Sequence, residues 1–352
     1  MKVILFFSVA FIFCFSNGFL ISKPGKDLES VTKEKFSNYI IARFKSGHYG
    51  SMKACSIQKK GRVLYRMASI SSSPQSVESI TKSISALVIG IAISRKDLKD
   101  VNQKILDFFP EYKNKLRKGW QCLTLEDLLT MSSGIEWAED KHPEFLNPTY
   151  QMYAAENLYD YIFSRKISDK KQFNYASANA ALLSEIIFRA TGKSFAHYAD
   201  DVLFKPLEIT NYKWSNYKNG RTNTSGGLYL CLDDLAKLGM LYLQNGVWKG
   251  QQILQSNWIN MSFKNYSRIN DYLDINGYGY MWWINDCYKL NSGKKIKFFN
   301  ACGFNNNHLI LVPEFDLLIV TMGDCTSAPE KYLNLVKDVT EITGKDWGDT
   351  NL

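Results

Sequence analysis

A serine followed three residues later by a lysine, Ser79-Ile80-Thr81-Lys82, is a pairing that can make a nucleophile. A serine hydroxyl attacks poorly at neutral pH, so a serine enzyme must supply a nearby base and a fixed geometry. If a helix begins at Ser79, residues three apart share a face and the Lys82 amine lies one turn on, beside the hydroxyl. The helix start also offers backbone N–H groups and a positive dipole end, which favour an alkoxide and the oxyanion of a tetrahedral intermediate. Burial suits a lysine to act as base, because it penalises the charged form. Residues 84–93 (ISALVIGIAI) supply that burial, being almost wholly apolar, as a helix covered on all sides must be. The same spacing opens at Ser30, Ser56, Ser168, Ser215 and Ser292, so the tetrapeptide alone identifies nothing. Ser30 precedes an amphipathic helix, Ser56 lies in an expected strand, and the other three sit in polar stretches. The bland alternative at Ser79 is a helix cap with a solvated lysine one turn later.

Other chemistries find less support. His48, His142, His197 and His308 stand apart, without a His-Glu-x-x-His pair to hold a metal. There is no Gly-x-Ser-x-Gly elbow, which argues against the α/β-hydrolase route to a reactive serine. Asp233-Asp234 reads as the cap of a following helix. The formal charge of +9 comes from lysines and arginines interleaved with acids, not from a basic stripe, so nucleic acid is not an expected partner.

The elements that must position the serine follow from periodicity. Residues 31–44 read as a helix, and 54–57 with 63–67 as a hairpin around Lys59-Lys60-Gly61. Helical segments such as 125–131 and 180–190 fill the region from roughly 100 to 200, the expected helical lobe. Strand patterns return at 278–284, 297–299, 308–312 and 317–322, and residues 332–342 form a last amphipathic helix. The expected class is α+β, an α/β sandwich in which strands from both ends of the chain share one antiparallel sheet flanked by helices, with the lobe inserted between them. Cleft shape depends on loops around 147–158 and 216–224.

The first 18 residues differ from the rest. Met1-Lys2 precedes an apolar run broken only by Ser8, and Ser16-Asn17-Gly18 has the small residues of a cleavage site. Residues 1–18 therefore read as a secretory signal, too short for a bilayer span of roughly 18 or more apolar residues, with residues 19–352 exported to the periplasm or beyond. Six cysteines follow it, Cys55, Cys122, Cys231, Cys287, Cys302 and Cys325. Their even number permits disulfides, and buried thiols fit as well.

Several segments, in order and spacing, resemble the serine β-lactamase-related family: residues 79–93 (SITKSISALVIGIAI), 123–137 (LTLEDLLTMSSGIEW), 173–187 (FNYASANAALLSEII), 204–209 (FKPLEI), 225–238 (SGGLYLCLDDLAKL), 278–283 (YGYMWW) and 301–313 (ACGFNNNHLILVP). The resemblance spans roughly residues 50 to 325 and is closest to class C β-lactamase-like esterases and 6-aminohexanoate-dimer hydrolases. It implies a β-lactamase/transpeptidase-like fold with Ser79 as nucleophile, Lys82 as general base and Tyr175, in Tyr175-Ala176-Ser177, as the second proton-transfer group. Ser177 then falls among the substrate-binding positions. The third element departs from the family: where a Lys-Thr-Gly or His-Thr-Gly strand holds a substrate carboxylate, this chain reads Ala301-Cys302-Gly303. Gly303 still permits close backbone approach, and the Phe304 N–H is expected to pair with that of Ser79 as an oxyanion hole. Tyr278 and Trp282, of the Trp282-Trp283 pair, are expected to line an acyl pocket, against the alternative that strand aromatics belong to the core. Asn305-Asn306-Asn307-His308 replaces the relatives' Gly-Gly-Gln, and His308 is read as a strand-edge side chain facing solvent.

The implied function is hydrolysis of a small ester or amide through an acyl-enzyme, without metal or organic cofactor. A β-lactam- or D-Ala-D-Ala-directed enzyme is the nearest rival, weakened by Ala301, and a non-catalytic scaffold of the same fold is the other. The sequence leaves oligomeric state open.

Overall fold

The computed structural model describes residues 33–69, 73–114, 119–139, 146–168, 171–272, 275–323 and 329–344. The expected signal segment, His142 and Cys325 lie outside them. Among the described residues no helix is long and apolar enough to cross a membrane.

Helix α1 (Lys33–Lys45) leads into the hairpin β1 (Ala54–Lys59) and β2 (Arg62–Ala68). After the short β3 (Gln75–Ser76) comes α2 (Ile80–Ser94). Six helices follow: α3 (Ile105–Phe108), α4 (Leu125–Leu129), α5 (Pro148–Ala154), α6 (Leu158–Phe163), α7 (Ser177–Thr191) and α8 (Phe195–Ala199). Two short strands, β4 (Lys213–Trp214) and β5 (Leu228–Leu230), precede α9 (Leu232–Leu243). The hairpin β6 (Val247–Trp248) and β7 (Gln251–Gln252) leads to α10 (Ser256–Ser262). The chain closes with β8 (Ser267–Tyr272), β9 (Ile275–Tyr278), β10 (Trp283–Lys289), β11 (Lys295–Gly303), β12 (Asn307–Val312), β13 (Leu317–Met322) and α11 (Tyr332–Thr343).

Strands from both ends meet in one eight-stranded sheet, ordered β2-β1-β13-β12-β11-β10-β9-β8, with β1 antiparallel to β13. Strands β12 and β13 are buried at every position because helices cover both faces. Alternate residues divide between two cores, Leu309 and Leu311 towards the layer holding α2 and α9, Ile310 and Val312 towards α1 and α11. Each such aliphatic side chain contributes about 1.5–3 kcal/mol on burial.

Helix α2 is buried from Ile80 to Ala92. Gly90 lets it pack closely: a Cβ there would sit 2.4 Å from the Trp258 ring. One sequence expectation needs correction. Residues 278–284 are not one strand, since β9 ends at Tyr278 and β10 starts at Trp283. At the break Gly279 passes so near the Ser262 carbonyl that a Cβ would lie 2.0 Å from it, and Met281 takes a positive φ of 58°. Likewise 147–158 is not an open loop but contains α5 and leads into α6, each capped by an asparagine side chain.

Candidate active site

Ser79 sits at the N-terminal end of α2 without capping it, because its side chain makes no cap hydrogen bond. Its Oγ instead accepts from Lys82 Nζ at 2.8 Å. Lys82 is 2% exposed, so the solvated-lysine alternative does not hold. The turn before the serine is strained, Glu78 having φ 51°, a conformation that surrounding structure must impose on a non-glycine residue.

Lys82 Nζ also donates to the Ser225 carbonyl at 2.7 Å. That carbonyl is held by a buried polar knot: Asn223 Oδ1 accepts from the Ser225 and Gly226 backbone N–H groups, each at 3.1 Å, and from Ser225 Oγ at 2.9 Å. Tyr217 donates to the same hydroxyl at 2.9 Å. Helix α2 is stitched to this segment as well, the Thr81 hydroxyl accepting from Leu228 N–H and the Ser85 hydroxyl donating to the Thr224 carbonyl. Sequence reasoning missed Ser225, because its contribution is a backbone oxygen that no side-chain type signals.

Tyr175 stands at the other side of the pair. The Lys82 ammonium lies 5.1 Å from the centre of its ring, and its hydroxyl neighbours Ser79. Burial pushes its pKa well above the ordinary tyrosine value, with Tyr278 and the Glu139 charge adding to the rise. The group is therefore a neutral phenol, able to donate a proton, at any pH where a serine hydrolase works. Trp283 stacks on its ring, centroids 5.4 Å apart.

Ser177 does not offer its hydroxyl to the cleft. Its Oγ donates to Glu139 Oε1 at 2.8 Å and its N–H to Oε2 at 2.9 Å, so the carboxylate occupies the start of α7. Trp137 Nε1 donates to the same carboxylate at 3.2 Å. Glu139 is a second residue that the sequence did not signal, since it comes from a turn 36 positions before Tyr175 and carries no motif.

The opposite wall is the end of β11. A Cβ at Gly303 would lie 2.4 Å from the Val77 carbonyl, so the strand runs directly against the turn that carries Ser79. Phe304 follows it and is 63% exposed at the mouth. Cys302 lines the cleft, its thiol pushed up to about 12 by burial, while Ala301 is a fully buried core methyl. Cys55, Cys122, Cys287 and Cys302 are free thiols.

Three aromatic and polar placements differ from expectation. Trp282 turns into the core, where Nε1 donates to Tyr242 at 3.3 Å and the ring meets Phe263; Trp283 lines the cleft in its place. Trp282 lies in the break before β10, which begins at Trp283, so the side-chain alternation of a continuous strand does not carry through it. Tyr278 lies behind Tyr175, edge-on at 6.4 Å and buried. His308 is no edge residue: β12 is interior, and the imidazole is buried, stacked 4.2 Å from Tyr332 and paired with the Asn300 amide at 3.2 Å. Burial lowers its pKa to about 3.

Ser79, Lys82, Tyr175, Gly303 and Phe304 line one cleft of about 710 Å³, which Tyr278 and Trp282 do not reach.

Comparison with known proteins accords with this geometry. A sequence model of the beta-lactamase family matches residues 72–329. The 6-aminohexanoate-dimer hydrolase of Paenarthrobacter ureafaciens is 21% identical over 268 residues, 70% of this chain and 64% of that protein. Among solved structures, a Bacillus anthracis protein assigned provisionally as a 6-aminohexanoate-dimer hydrolase superposes with a TM-score of 0.70 at 20% identity, covering 84% of this chain and 80% of that one. A class C beta lactamase from Rhodobacter sphaeroides gives 0.62 at 16% identity, covering 87% of this chain and 98% of that one. These likenesses show the fold to be of the β-lactamase/transpeptidase type. The chain spans less than two thirds of the length of the curated relatives it matches.

Proposed function

This chain belongs to the beta-lactamase family of serine hydrolases, and from that premise we propose that it cleaves a small ester or amide through an acyl-enzyme on Ser79. The observation that carries the reading is the buried Lys82 amine, 2.8 Å from the Ser79 hydroxyl and anchored on its far side by the Ser225 carbonyl. A neutral amine held so has one lone pair for the serine proton and spends an N–H on Ser225.

Ser79 Oγ attacks the substrate carbonyl as Lys82 takes its proton. The backbone N–H groups of Ser79 and Phe304 hold the oxyanion, with Gly303 bringing the strand close enough. Tyr175 delivers a proton to the leaving group and recovers one from Lys82, which returns the amine to its basic form. Water then attacks the acyl-enzyme by the same path in reverse. The P. ureafaciens relative is named for hydrolysis of a 6-aminohexanoate dimer, which supports an amide or ester bond without naming this chain's substrate. Ala301 weighs against β-lactams and D-Ala-D-Ala ends, since it removes the cation that would meet their carboxylate. We also propose export of the chain to the periplasm or beyond, on the apolar run of residues 3–15.

Intact-mass spectrometry after exposure to a fluorophosphonate tests the reading. One adduct on the parent and none on Ser79→Ala is the expected result. Folded parent protein that takes no adduct would favour a non-catalytic scaffold.

A further inference from the structure

Losing the cation at position 301 leaves a cleft that merely fails to attract carboxylates, but the described residues do more than that. The charged side chains lining the cleft are Glu78, Glu139 and Lys82, and His308 is neutral. When Lys82 gives up its proton to serve as base, two carboxylates face the substrate with no opposing charge among the described residues. Neither acid is a stray surface group. Glu139 is clamped by the Ser177 N–H and hydroxyl and by Trp137 Nε1, so its position is fixed before anything binds. Glu78 directly precedes the nucleophile and accepts from the Ser76 hydroxyl at 2.7 Å.

The wall around Glu139 is aromatic. Trp137, Tyr150 and Tyr153 line the same cleft, with Tyr150 half exposed and its ring edge-on to Tyr153 at 6.4 Å. Aromatic faces beside a fixed carboxylate attract ammonium groups, the rings through their quadrupole and the acid through its charge. Like charge in the same place repels carboxylates, so one arrangement both selects and rejects.

We propose that the cleft is specific for substrates carrying a positive charge, a primary or quaternary ammonium seated between Glu139 and these rings. The inference rests on acylation of Ser79 and deepens that reading by assigning the substrate class.

Matched phosphonates test it whatever the natural substrate is. Three methylphosphonates share a 4-nitrophenyl leaving group and differ in the second ester: choline, 3,3-dimethylbutanol, which has the same shape without the charge, and 4-hydroxybutanoate. Each forms a bond from Ser79 Oγ to phosphorus and expels 4-nitrophenolate, and intact mass follows the rate. The choline ester should label at least about tenfold faster than its uncharged twin, a ratio that about 1.4 kcal/mol produces. The carboxylate ester should be slowest. The ratio should shrink in 1 M salt and in Glu139→Gln.

Equal rates for the choline and dimethylbutyl esters, or fastest labelling by the carboxylate ester, with Ser79 modified in each case, would overturn the proposal and leave the hydrolase reading intact. Failure of all three to label Ser79 would overturn the hydrolase reading first, and the proposal with it. The wild-type ratio and its salt dependence decide the matter even if the Glu139 variant does not fold.

Discussion

The two walls of the cleft are built on different terms. The helical wall carries Ser79, Lys82 and Tyr175, and the Lys82 amine is tied to both the Ser79 hydroxyl and the Ser225 carbonyl. The strand wall carries no charge at all: its contribution is backbone, delivered by Gly303, with a thiol and a methyl where the family has a hydroxyl and a cation. Proton transfer needs particular side chains at particular distances, whereas oxyanion binding needs backbone N–H groups that any residue but proline supplies. A chain can therefore keep its chemistry while the side chains on the strand change.

The largest effect should come from breaking the helical wall. Lys82→Met keeps the length and burial of the side chain while removing the base. Turnover of any ester found to be a substrate should fall by about 10²–10⁴-fold. Stability measured by denaturant unfolding should fall by about 1–3 kcal/mol, because the buried Ser225 carbonyl loses its donor. A variant retaining near-parental turnover would mean that Tyr175 or water serves as base.

Breaking the strand wall should cost less in rate. Gly303→Ala places a methyl 2.4 Å from the Val77 carbonyl, and that carbonyl cannot turn aside easily because the Val77 N–H is bonded to Leu228 at 3.0 Å. Strand and nucleophile turn must separate, with a loss of about 1–3 kcal/mol of stability and a fall in turnover of up to about 10²-fold as one oxyanion donor moves away. Unaltered stability would show that the strand does not press on the turn as described.

The same division explains what the sequence made legible. Ser79, Lys82 and α2 could be read because spacing along one helix fixes which side chains meet, and a wholly apolar run fixes burial. The shared sheet was legible from strand patterns at both ends of the chain. Tyr175 required the family resemblance, because contact between α2 and the start of α7 is not encoded in local periodicity. Trp282 was misplaced because the break between β9 and β10 resets which way each side chain points. Glu139 and the Ser225 carbonyl were missed for a related reason: one arrives from a turn by tertiary packing, the other is backbone.

The walls should also answer opposite ends of the pH scale. Tyr175 has a raised pKa, so its burial favours the fold fully below the ordinary tyrosine value of 10, and that contribution is lost as pH rises above it. On the strand side His308 has a lowered pKa, about 3 against 6.5. Unfolded chain binds one more proton than folded chain between those values, so the contribution of His308 is fully present above pH 6.5 and declines as pH falls towards 3. The slope is at most about 1.4 kcal/mol per pH unit. In His308→Phe the ring can still stack on Tyr332 but cannot titrate, and the Asn300 amide loses its partner at a cost of about 1–3 kcal/mol. Urea unfolding between pH 7.5 and 4 should give a flatter acid limb for the variant, from a lower starting stability at neutral pH. Parallel curves would mean that the imidazole is reached by water in the native protein, and that the strand wall is less closely packed against α11 than the stacking on Tyr332 requires.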